Sequence, residues 1–307
     1  MIVINSLENL NILDTAIALG NFDGVHLGHQ EIIKKAVAYS KENKLKSAIF
    51  TFSNHPRNLI PGKKEVKNII YPDEKAKLIE ALGVDYFVNI EFTEEIMKMP
   101  PEEYVKSILI DALKAKAIFS GFNYRFGYKA EGDTELLNKL GEKYGFSLFV
   151  SNPVIIDNEV VSSTLIRELI KSGDIDECDK FLGRNYASRG KVVVGNRLGK
   201  SIGFPTSNIM IDESMVTPPN GVYITYLKYN GVRYPSITNV GVKPTIGEFK
   251  KNMETHIFNF NKELYDKTVE IEFIEMMRPE AKFSSLDELI SQIRNDCDKA
   301  KVYHGIE

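Results

Sequence analysis

The hydrophobic pattern of the chain changes near residue 183, and this change constrains the fold more than any other feature. Before it, apolar stretches such as TAIALG (15–20) and AIFTF (48–52) alternate with amphipathic stretches such as HQEIIKKAVAYSKEN (29–43). Strand–helix alternation predicts an α/β domain with a parallel sheet and helices on both faces. Such sheets bind ligands at the carboxyl ends of their strands. The alternation continues in PDEKAKLIEALG (72–83), VDYFVNI (84–90), PEEYVKSILIDAL (101–113), KAIFSGF (116–122), TELLNKLGEKYG (134–145) and FSLFV (146–150).

After residue 183 the pattern predicts mainly β-structure. Stretches such as GVYITYLKY (221–229) and TVEIEFIEM (268–276) are β-branched and aromatic, with Gly, Asn and Pro between them. Only the tail, SSLDELISQIRNDCDKAKVY (284–303), returns to a helical pattern, with Ser284 or Ser285 as its N-cap. We therefore expect an antiparallel barrel or sandwich closed by a C-terminal helix. A boundary near FLGRNY (181–186) divides the chain into domains 1–183 and 184–307.

Composition limits the environment and the partners. A length of 307 residues favours two domains, and a net charge of −3 offers no attraction for nucleic acid or an anionic membrane. Cys178 and Cys297 lack metal-ligand spacing, which favours a reducing compartment. The first residues do not resemble a signal peptide, and no apolar run is long enough to span a membrane. We expect a cytoplasmic protein, monomeric or weakly homo-oligomeric, with neither nucleic acid nor membrane as a partner.

The stretch GNRLGKSIG (195–203) resembles a phosphate-binding P-loop but does not match it. The P-loop pattern has four residues between its first glycine and the Gly-Lys-Ser run, and here Gly195 and Gly199 enclose three. A P-loop also opens a helix, which Pro205 would block. A glycine-rich turn without chemistry stays open as the alternative.

A first candidate site lies in GNFDGVHLGH (20–29), where the first predicted strand leads into the first helix. His26 and His29 are three residues apart, so both can lie on one face of the first helical turn. Two imidazole donors beside free helix amides form a phosphate site. Gly20 and Gly24 let the backbone turn and approach a ligand. The alternatives are a surface histidine pair or a zinc-like spacing, for which no convincing further ligands are near.

Four motifs in order resemble one family. GNFDGVHLGH is similar to the H-x-G-H signature of nucleotidyltransferases, and in its longer form to the bacterial FAD synthetase module. TFSNHP (51–56), GFNYRFG (121–127) and SSTLIR (162–167) resemble the T-F-x-P-H-P, G-x-[DN]-F-x-F-G and S-S-T-x-I-R motifs of that family. Asn54 departs from the pattern, because the family usually has proline there. The resemblance implies a Rossmann-like domain that transfers AMP from ATP to FMN.

The FMN phosphate is already anionic, so this reaction needs positioning and charge stabilisation rather than a general base. His26 and His29 are the candidate catalytic donors. The expected nucleotide-binding residues are Gly20, Asn21, Phe22, Asp23, Gly24, Asn123, Ser162, Ser163, Thr164 and Arg167. The expected flavin-binding residues are Phe52, His55, Asn123, Tyr124 and Arg125. The alternative for SSTLIR is a plain helix cap, and at least one of Phe122, Tyr124 and Phe126 is expected in the core.

The second half carries motifs that resemble riboflavin kinases. GFPTSN (203–208) is similar to G-F-P-T-[AS]-N, and PNGVY (219–223), NVGVKPT (239–245), METHIFNF (253–260) and RPEAKFSSLDEL (278–289) follow in the family order. Thr206 and Asn208 alternate on an extended segment and offer two neutral oxygen ligands, which suit Mg²⁺ completed by phosphate and water. The resemblance assigns Glu254 as the general base that takes the proton of the riboflavin hydroxyl attacking ATP. Arg278 is expected to bind flavin from a mobile loop, with a surface salt bridge as the alternative.

The expected enzyme is bifunctional: riboflavin and ATP give FMN, and FMN and ATP then give FAD and pyrophosphate. The alternatives are an adenylyltransferase for another phosphorylated substrate, or a flavin-binding sensor or RNA-binding barrel in which one or both sites are inactive. The stretch 195–203 is then interpreted as a glycine-rich loop over ATP, with Gly199 and Lys200 facing the phosphates.

Overall fold

The computed structural model describes residues 1–8, 10–195, 199, 202–245 and 248–306, with the main chain alone for 243–245 and 248–250. The chain packs as two compact units, Met1–Ser163 and Thr164–Glu307. Within the described ranges, none of the helices combines the length and the hydropathy that a membrane crossing requires.

The first unit contains a six-stranded parallel sheet in the order β1-β4-β3-β2-β5-β6. This confirms the predicted Rossmann-like α/β architecture. The strands are β1 (Ile2–Ile4), β2 (Thr15–Leu19), β3 (Lys46–Phe52), β4 (Tyr86–Ile90), β5 (Ala115–Gly121) and β6 (Ser147–Ser151). A small hairpin follows, formed by β7 (Ile155–Ile156) and β8 (Glu159–Val160). The edge strand β1 was not predicted, because three residues are too few to show a period.

Helices cover both faces of the sheet, as predicted. The helices are α1 (Leu27–Glu42), α2 (Pro72–Ala81), α3 (Glu94–Lys98), α4 (Pro101–Glu103) and α5 (Thr134–Tyr144). Alternation along β2 divides the core: Ile17 and Leu19 belong to the cluster that contains Leu137 of α5, whereas Ala16 and Ala18 belong to the cluster that contains Ile33 of α1.

The predicted helix 101–113 differs from a regular α-helix. After α4 the chain continues as a π-helix over Tyr104–Ala112, and the amide of Leu113 donates to the carbonyl of Ile108 at 2.9 Å, five residues back. The wider turn still buries Val105 and Leu109 against the sheet. Hydrophobic spacing alone does not distinguish the two kinds of helix here.

The second unit is built on a closed barrel, which decides between the expected barrel and sandwich. Its strands follow the order β10-β13-β12-β11-β14-β9, and all neighbours are antiparallel. They are β9 (Ala187–Val193), β10 (Ser207–Met210), β11 (Gly221–Tyr229), β12 (Val232–Thr245), β13 (Glu248–Ile257) and β14 (Thr268–Pro279). The helices are α6 (Ser163–Ser172), α7 (Ile175–Leu182) and α8 (Leu286–His304).

The two sides of the barrel wall have different chemistry. Hydroxyl groups bond to one another inside the barrel: Thr238 bonds Thr225 and Thr255 at 2.8 Å each, and all three side chains are fully buried. The alternate residues of the same strands, which include Asn239 and Glu254, line a cavity on the other side of the wall.

The C-terminal helix α8 begins as predicted. Ser285 is its N-cap, and its hydroxyl accepts the amide of Glu288 at 3.2 Å. Cys297 and Ala300 of α8 pack against Val222 and Ile224 of the barrel, which closes that side of the core.

Candidate active sites

The first candidate site is the loop between β2 and α1. Helix α1 begins at Leu27, two residues earlier than the pattern predicted, and His26 is its N-cap. Before it the backbone enters the left-handed region at Phe22 (φ 47°), Gly24 (φ 82°) and Val25 (φ 41°). A glycine adopts this conformation readily, but at Phe22 and Val25 it costs about 1–3 kcal/mol each. Surrounding contacts must therefore hold the loop in place.

The two histidines pack against each other at the start of α1. Nδ1 of His26 accepts the amide of His29 at 3.2 Å, and the ring centroids are 3.5 Å apart. The spacing predicted this shared face of the first turn. Since the ring of His26 caps the helix through its acceptor nitrogen, its other ring nitrogen is the one that carries the proton.

The carbonyl of Asn21 accepts two side-chain donors. The hydroxyl of Thr51 lies at 3.0 Å and the ammonium of Lys75 at 3.2 Å. Lys75 is only 9% exposed, and burial lowers its pKa while the carboxylate of Asp23 acts in the opposite sense. Lys75 was not among the predicted site residues. The available signal was its position four residues before Ile79 on the buried side of α2.

Asp23 ties the loop to two other segments. Its buried carboxylate accepts the amide of Ile69 at 3.0 Å, and its carbonyl accepts the hydroxyl of Ser163 at 2.9 Å. Ser163 is the first residue of α6, so the predicted helix start in SSTLIR is confirmed and its serine contacts the loop. Phe22 is fully buried and its ring belongs to the core, so the ring does not contact a nucleotide.

The remaining residues of SSTLIR lie at and within α6. Ser162 directly precedes the helix, Thr164 is in its first turn, and Arg167 is buried with 9% exposure. In the histidine loop, a Cβ on Gly20 would lie 3.1 Å from the ring of Phe22, so a larger residue there would have to displace that ring slightly.

The 52–55 segment follows β3, which is a direct neighbour of β2 in the sheet. Asn54, the departure from the family pattern, forms a reciprocal pair with the main chain of Phe92: its amide donates at 3.1 Å and its oxygen accepts at 2.7 Å. The ring of Phe52 packs on that of Phe92 at 4.8 Å. His55 accepts the amide of Arg57 at 3.2 Å. Asn54 therefore shapes this loop by hydrogen bonds where a proline would act by its ring.

The aromatic stretch after β5 divides between core and surface. Phe126 is buried with 5% exposure, which confirms that at least one ring belongs to the core, whereas Phe122 is 49% exposed. The hydroxyl of Tyr124 lies 3.0 Å from that of Tyr104, and burial raises the pKa of Tyr124 to about 12.

The two polar residues of this stretch are exposed. Asn123 lies beside Gly121, and Arg125 forms an ion pair with Asp133 at 3.3 Å. Because β3 and β5 flank β2, the segments after them lie at the same edge of the sheet as the histidine loop. The structure thus brings the predicted residues of this domain's first three motifs to one edge.

The second candidate site is a cavity of about 320 Å³ between the outer side of the barrel wall and α8. Its lining combines aromatic and aliphatic side chains with a few polar groups. The polar and charged residues at the cavity are Thr206, Asn239, Glu254, His256, Arg278, Glu280 and Asp296.

A row of polar residues crosses three neighbouring strands at this cavity. Glu254 of β13 is the register partner of Asn208 on β10 and of Asn239 on β12. Glu254 is half-buried, and β13 lies between two strands of a closed barrel. Glu254 therefore does not lie on an exposed edge strand, where a glutamate is normally solvated.

The PTSN segment leads directly into β10. Thr206 lines the cavity, and Asn208 is buried with 6% exposure. The main chain of Gly195 lies so close to the Asn208 amide that a side chain would overlap it, and Gly199 is equally close to the carbonyl of Phe204. The amide of Phe204 also donates to the carbonyl of Gly199 at 2.7 Å. Gly195 and Gly199 therefore pack on the PTSN segment and the residue before it, and Lys200 lies outside the described residues.

His256 connects the strand of Glu254 with the PTSN segment. Its Nδ1 lies 2.8 Å from the carbonyl of Pro205, so this nitrogen donates. Burial lowers the pKa of His256, which favours the neutral ring. His256 was not among the predicted site residues.

Arg278 differs from its expected setting. It belongs to β14 rather than to a loop, and its Nε and Nη2 donate to Asp296 of α8 at 2.9 and 2.8 Å. Asp296 is 4% exposed and also accepts from Gln292 at 2.7 Å. The arginine therefore forms a partly buried ion pair at the cavity wall, because strand pairing extends to Pro279 and α8 covers this end of the barrel.

Two protein-family models match the chain, one for each unit. The model described as FAD synthetase matches residues 9–165, and the model described as riboflavin kinase matches residues 182–304. The helices α6 and α7 thus lie largely between the two matched segments.

Relatives resemble the chain over nearly its whole length. Proteins named bifunctional riboflavin kinase/FMN adenylyltransferase are 32% identical in Buchnera aphidicola, covering 99% of this chain and 98% of the relative, and 33% identical in Bacillus subtilis, covering 94% and 92%. A crystal structure from Streptococcus pneumoniae, titled a macrolide-efflux protein, superposes with a TM-score of 0.89 at 29% identity and covers 98% of both chains. Both family models and the named relatives agree with the motifs at the two sites. The chain belongs to the bifunctional riboflavin kinase/FMN adenylyltransferase family.

Proposed function

We propose that the chain makes FAD in two reactions at two separate sites. The barrel unit phosphorylates riboflavin with ATP to give FMN. The parallel-sheet unit then transfers AMP from a second ATP to FMN, which gives FAD and pyrophosphate. Membership of the family and the match of one family model to each unit support both activities.

The observation that carries the kinase assignment is the placement of Glu254 opposite Asn208 at the cavity. In the proposed reaction, the carboxylate of Glu254 takes the proton of the riboflavin hydroxyl while that oxygen attacks the γ-phosphorus of ATP. The bond to the β,γ-bridging oxygen breaks, and ADP leaves. Asn239, on the other side of Glu254, is placed to orient the same hydroxyl.

The donor set beside Glu254 fits a magnesium ion. Thr206 and Asn208 offer neutral oxygens, and a side chain at Gly195 would collide with the Asn208 amide, so the site needs glycine there. Among the residues that the structure describes, no three His, Cys, Asp or Glu side chains are grouped as a metal site. Mg²⁺ accepts few protein ligands when phosphates complete its shell. When bound, the ion would neutralise charge on the phosphates of ATP.

For the second reaction, the stacked pair at the start of α1 supports a phosphate site. His26 and His29 would donate hydrogen bonds to the α-phosphate as its charge rearranges, and the positive end of the α1 dipole would add to them. Asn21, Asp23 and Ser163 shape this site by their contacts. Nucleotide contacts from Ser162, Thr164 and Arg167, and flavin contacts from Phe52, His55, Asn123, Tyr124 and Arg125, belong to the proposal.

The proposed setting is the cytoplasm, with the enzyme as a monomer or weak homo-oligomer. Cys178 and Cys297 are buried free thiols, which supports a reducing compartment.

The test is chromatography of flavins after incubation with ATP, magnesium and either riboflavin or FMN. Glu254→Gln removes the base but keeps the shape, so we expect FMN formation to fall by about 10²–10⁴-fold while supplied FMN still becomes FAD. His29→Ala should give the reverse, with FMN accumulating from riboflavin.

Wild type that returns only unchanged riboflavin and FMN would contradict the proposed function. A folded variant that loses both activities would contradict the assignment of two sites.

A further inference from the structure

Lys75 is a buried cation at the edge of the histidine loop. It lies in the first turns of α2, its side chain is 9% exposed, and its Nζ donates to the carbonyl of Asn21 at 3.2 Å. Lysines are rarely buried to this extent, because removing an ammonium from water is costly unless a partner compensates it. A lysine that only covered the surface of α2 would keep its ammonium in solvent.

A hydrogen bond to Asn21 does not by itself require a charge. Thr51 already supplies a neutral donor to the same carbonyl at 3.0 Å. The additional feature of Lys75 is its positive charge: burial lowers the pKa of its ammonium, and the buried carboxylate of Asp23 opposes that fall. That carboxylate in turn accepts the amide of Ile69. The charge of Lys75 therefore acts on both ends of the Asn21–Asp23 segment.

This segment is the strained part of the loop. Phe22 lies between Asn21 and Asp23 with φ of 47°, and Val25 follows with φ of 41° directly before His26. Strained backbone of this kind persists only where surrounding contacts determine it. A shift of the segment would displace the cap residue His26 and the first amides of α1.

We propose that Lys75 is a positioning residue for adenylyl transfer, whose buried ammonium fixes the Asn21 carbonyl and balances Asp23, and so holds the strained loop that presents His26. The inference rests on the proposed function, since it names a further residue of the same site. Lys75 touches the loop and acts on the reaction only through it.

Three variants separate the charge from the hydrogen bond. Lys75→Gln keeps a neutral donor, Lys75→Arg keeps the charge, and Thr51→Val removes the other donor to Asn21 without changing any charge. Steady-state FMN adenylylation gives kcat and the KM for ATP. We expect Lys75→Gln to lower kcat by about 10–100-fold and to raise the KM for ATP several-fold, because a misplacement of about 1 Å costs roughly 10² in rate. Lys75→Arg and Thr51→Val should each stay within about 3-fold of the wild type.

The KM distinguishes misplacement from partial unfolding, since a smaller folded fraction lowers the apparent kcat but leaves KM unchanged. Riboflavin phosphorylation by the same chain serves as the internal control and should not change. Wild-type values in Lys75→Gln, or an equal loss in Lys75→Arg, would overturn the inference. If Lys75→Gln does not fold, Lys75→Arg decides alone. A 10-fold loss of its adenylylation activity overturns the inference, and wild-type activity supports it. Wild type that makes no FAD from FMN would instead refute the proposed function.

Discussion

At the residue scale, the kinase site depends on contacts between side chains and neighbouring backbone. Glu254 has Asn208 and Asn239 beside it across the sheet, and two residues along the strand His256 donates to the carbonyl of Pro205. Pro205 directly precedes Thr206, the proposed metal ligand. His256 therefore joins the strand of Glu254, the proposed base, to the proposed metal-binding segment, although it belongs to neither.

Removal of this hydrogen bond should slow the kinase reaction alone. In His256→Leu, the carbonyl of Pro205 loses its donor and Thr206 is no longer held, so we expect kcat for riboflavin phosphorylation to fall by about 10-fold. His256→Asn is the matched control, because its amide nitrogen can take the place of Nδ1, and it should retain most of the activity. The assay is initial-rate formation of FMN from riboflavin. A His256→Leu enzyme as fast as His256→Asn would contradict the role.

At the scale of elements, hydrophobic periodicity predicts strands and helices that bury one face, but it does not predict which residues contact one another. The strand β2 and the helix α5 were predicted almost to the residue, because their apolar positions face a core. Lys75 was missed because it occupies a buried position that the pattern reserves for apolar residues. The hydroxyl chain through Thr238 was missed too, since a polar residue on a strand is normally assigned to the solvent side.

The motifs added the information that periodicity lacks at the sites. They identified the loop at 20–29 and the pair Glu254 and Asn208, but each gave residue types and order without distances. The ion pair of Arg278 with Asp296 joins β14 to α8, and such long-range pairs depend on packing that no local pattern records.

Helix α7 carries a carboxyl group that titrates near neutrality. Asp179 accepts the amide of Tyr186 at 2.7 Å, and burial raises its pKa to about 7, with Arg184 opposing the rise and Asp176 and Glu272 adding to it. The folded state therefore binds this proton more tightly than the unfolded state. The stabilisation is complete below about pH 4, the unfolded value, and is lost as the pH rises through 7.

Asp179→Asn keeps the acceptor oxygen and removes the ionisation. We expect the variant to melt about 2–4 °C above wild type at pH 8, the shift that about 1 kcal/mol produces in a domain of this size after allowance for solvent screening. At pH 4 the difference should nearly vanish, because the carboxyl is then protonated in the folded state and about half protonated in the unfolded state. Thermal unfolding at the two pH values is the measurement. A difference that does not depend on pH would show that Asp179 does not titrate as inferred.

At the scale of the whole molecule, two divisions of the chain can be compared. Packing divides it after Ser163, and the change of sequence pattern places a boundary after residue 183. The difference concerns α6 and α7. Helix α7 buries Cys178, Phe181 and Leu182, and it packs against β14 within the second unit.

Two fragments that begin on either side of these helices test the division. A fragment of residues 164–307 should fold and phosphorylate riboflavin at close to the full-length rate, because it retains α7 on the barrel. A fragment of residues 184–307 exposes the surface that α7 covers. Since burial of one large apolar side chain contributes about 1.5–3 kcal/mol, its free energy of unfolding should be lower by several kcal/mol. Denaturant unfolding and FMN formation are measured on both, and equal stability would place the functional boundary after residue 183.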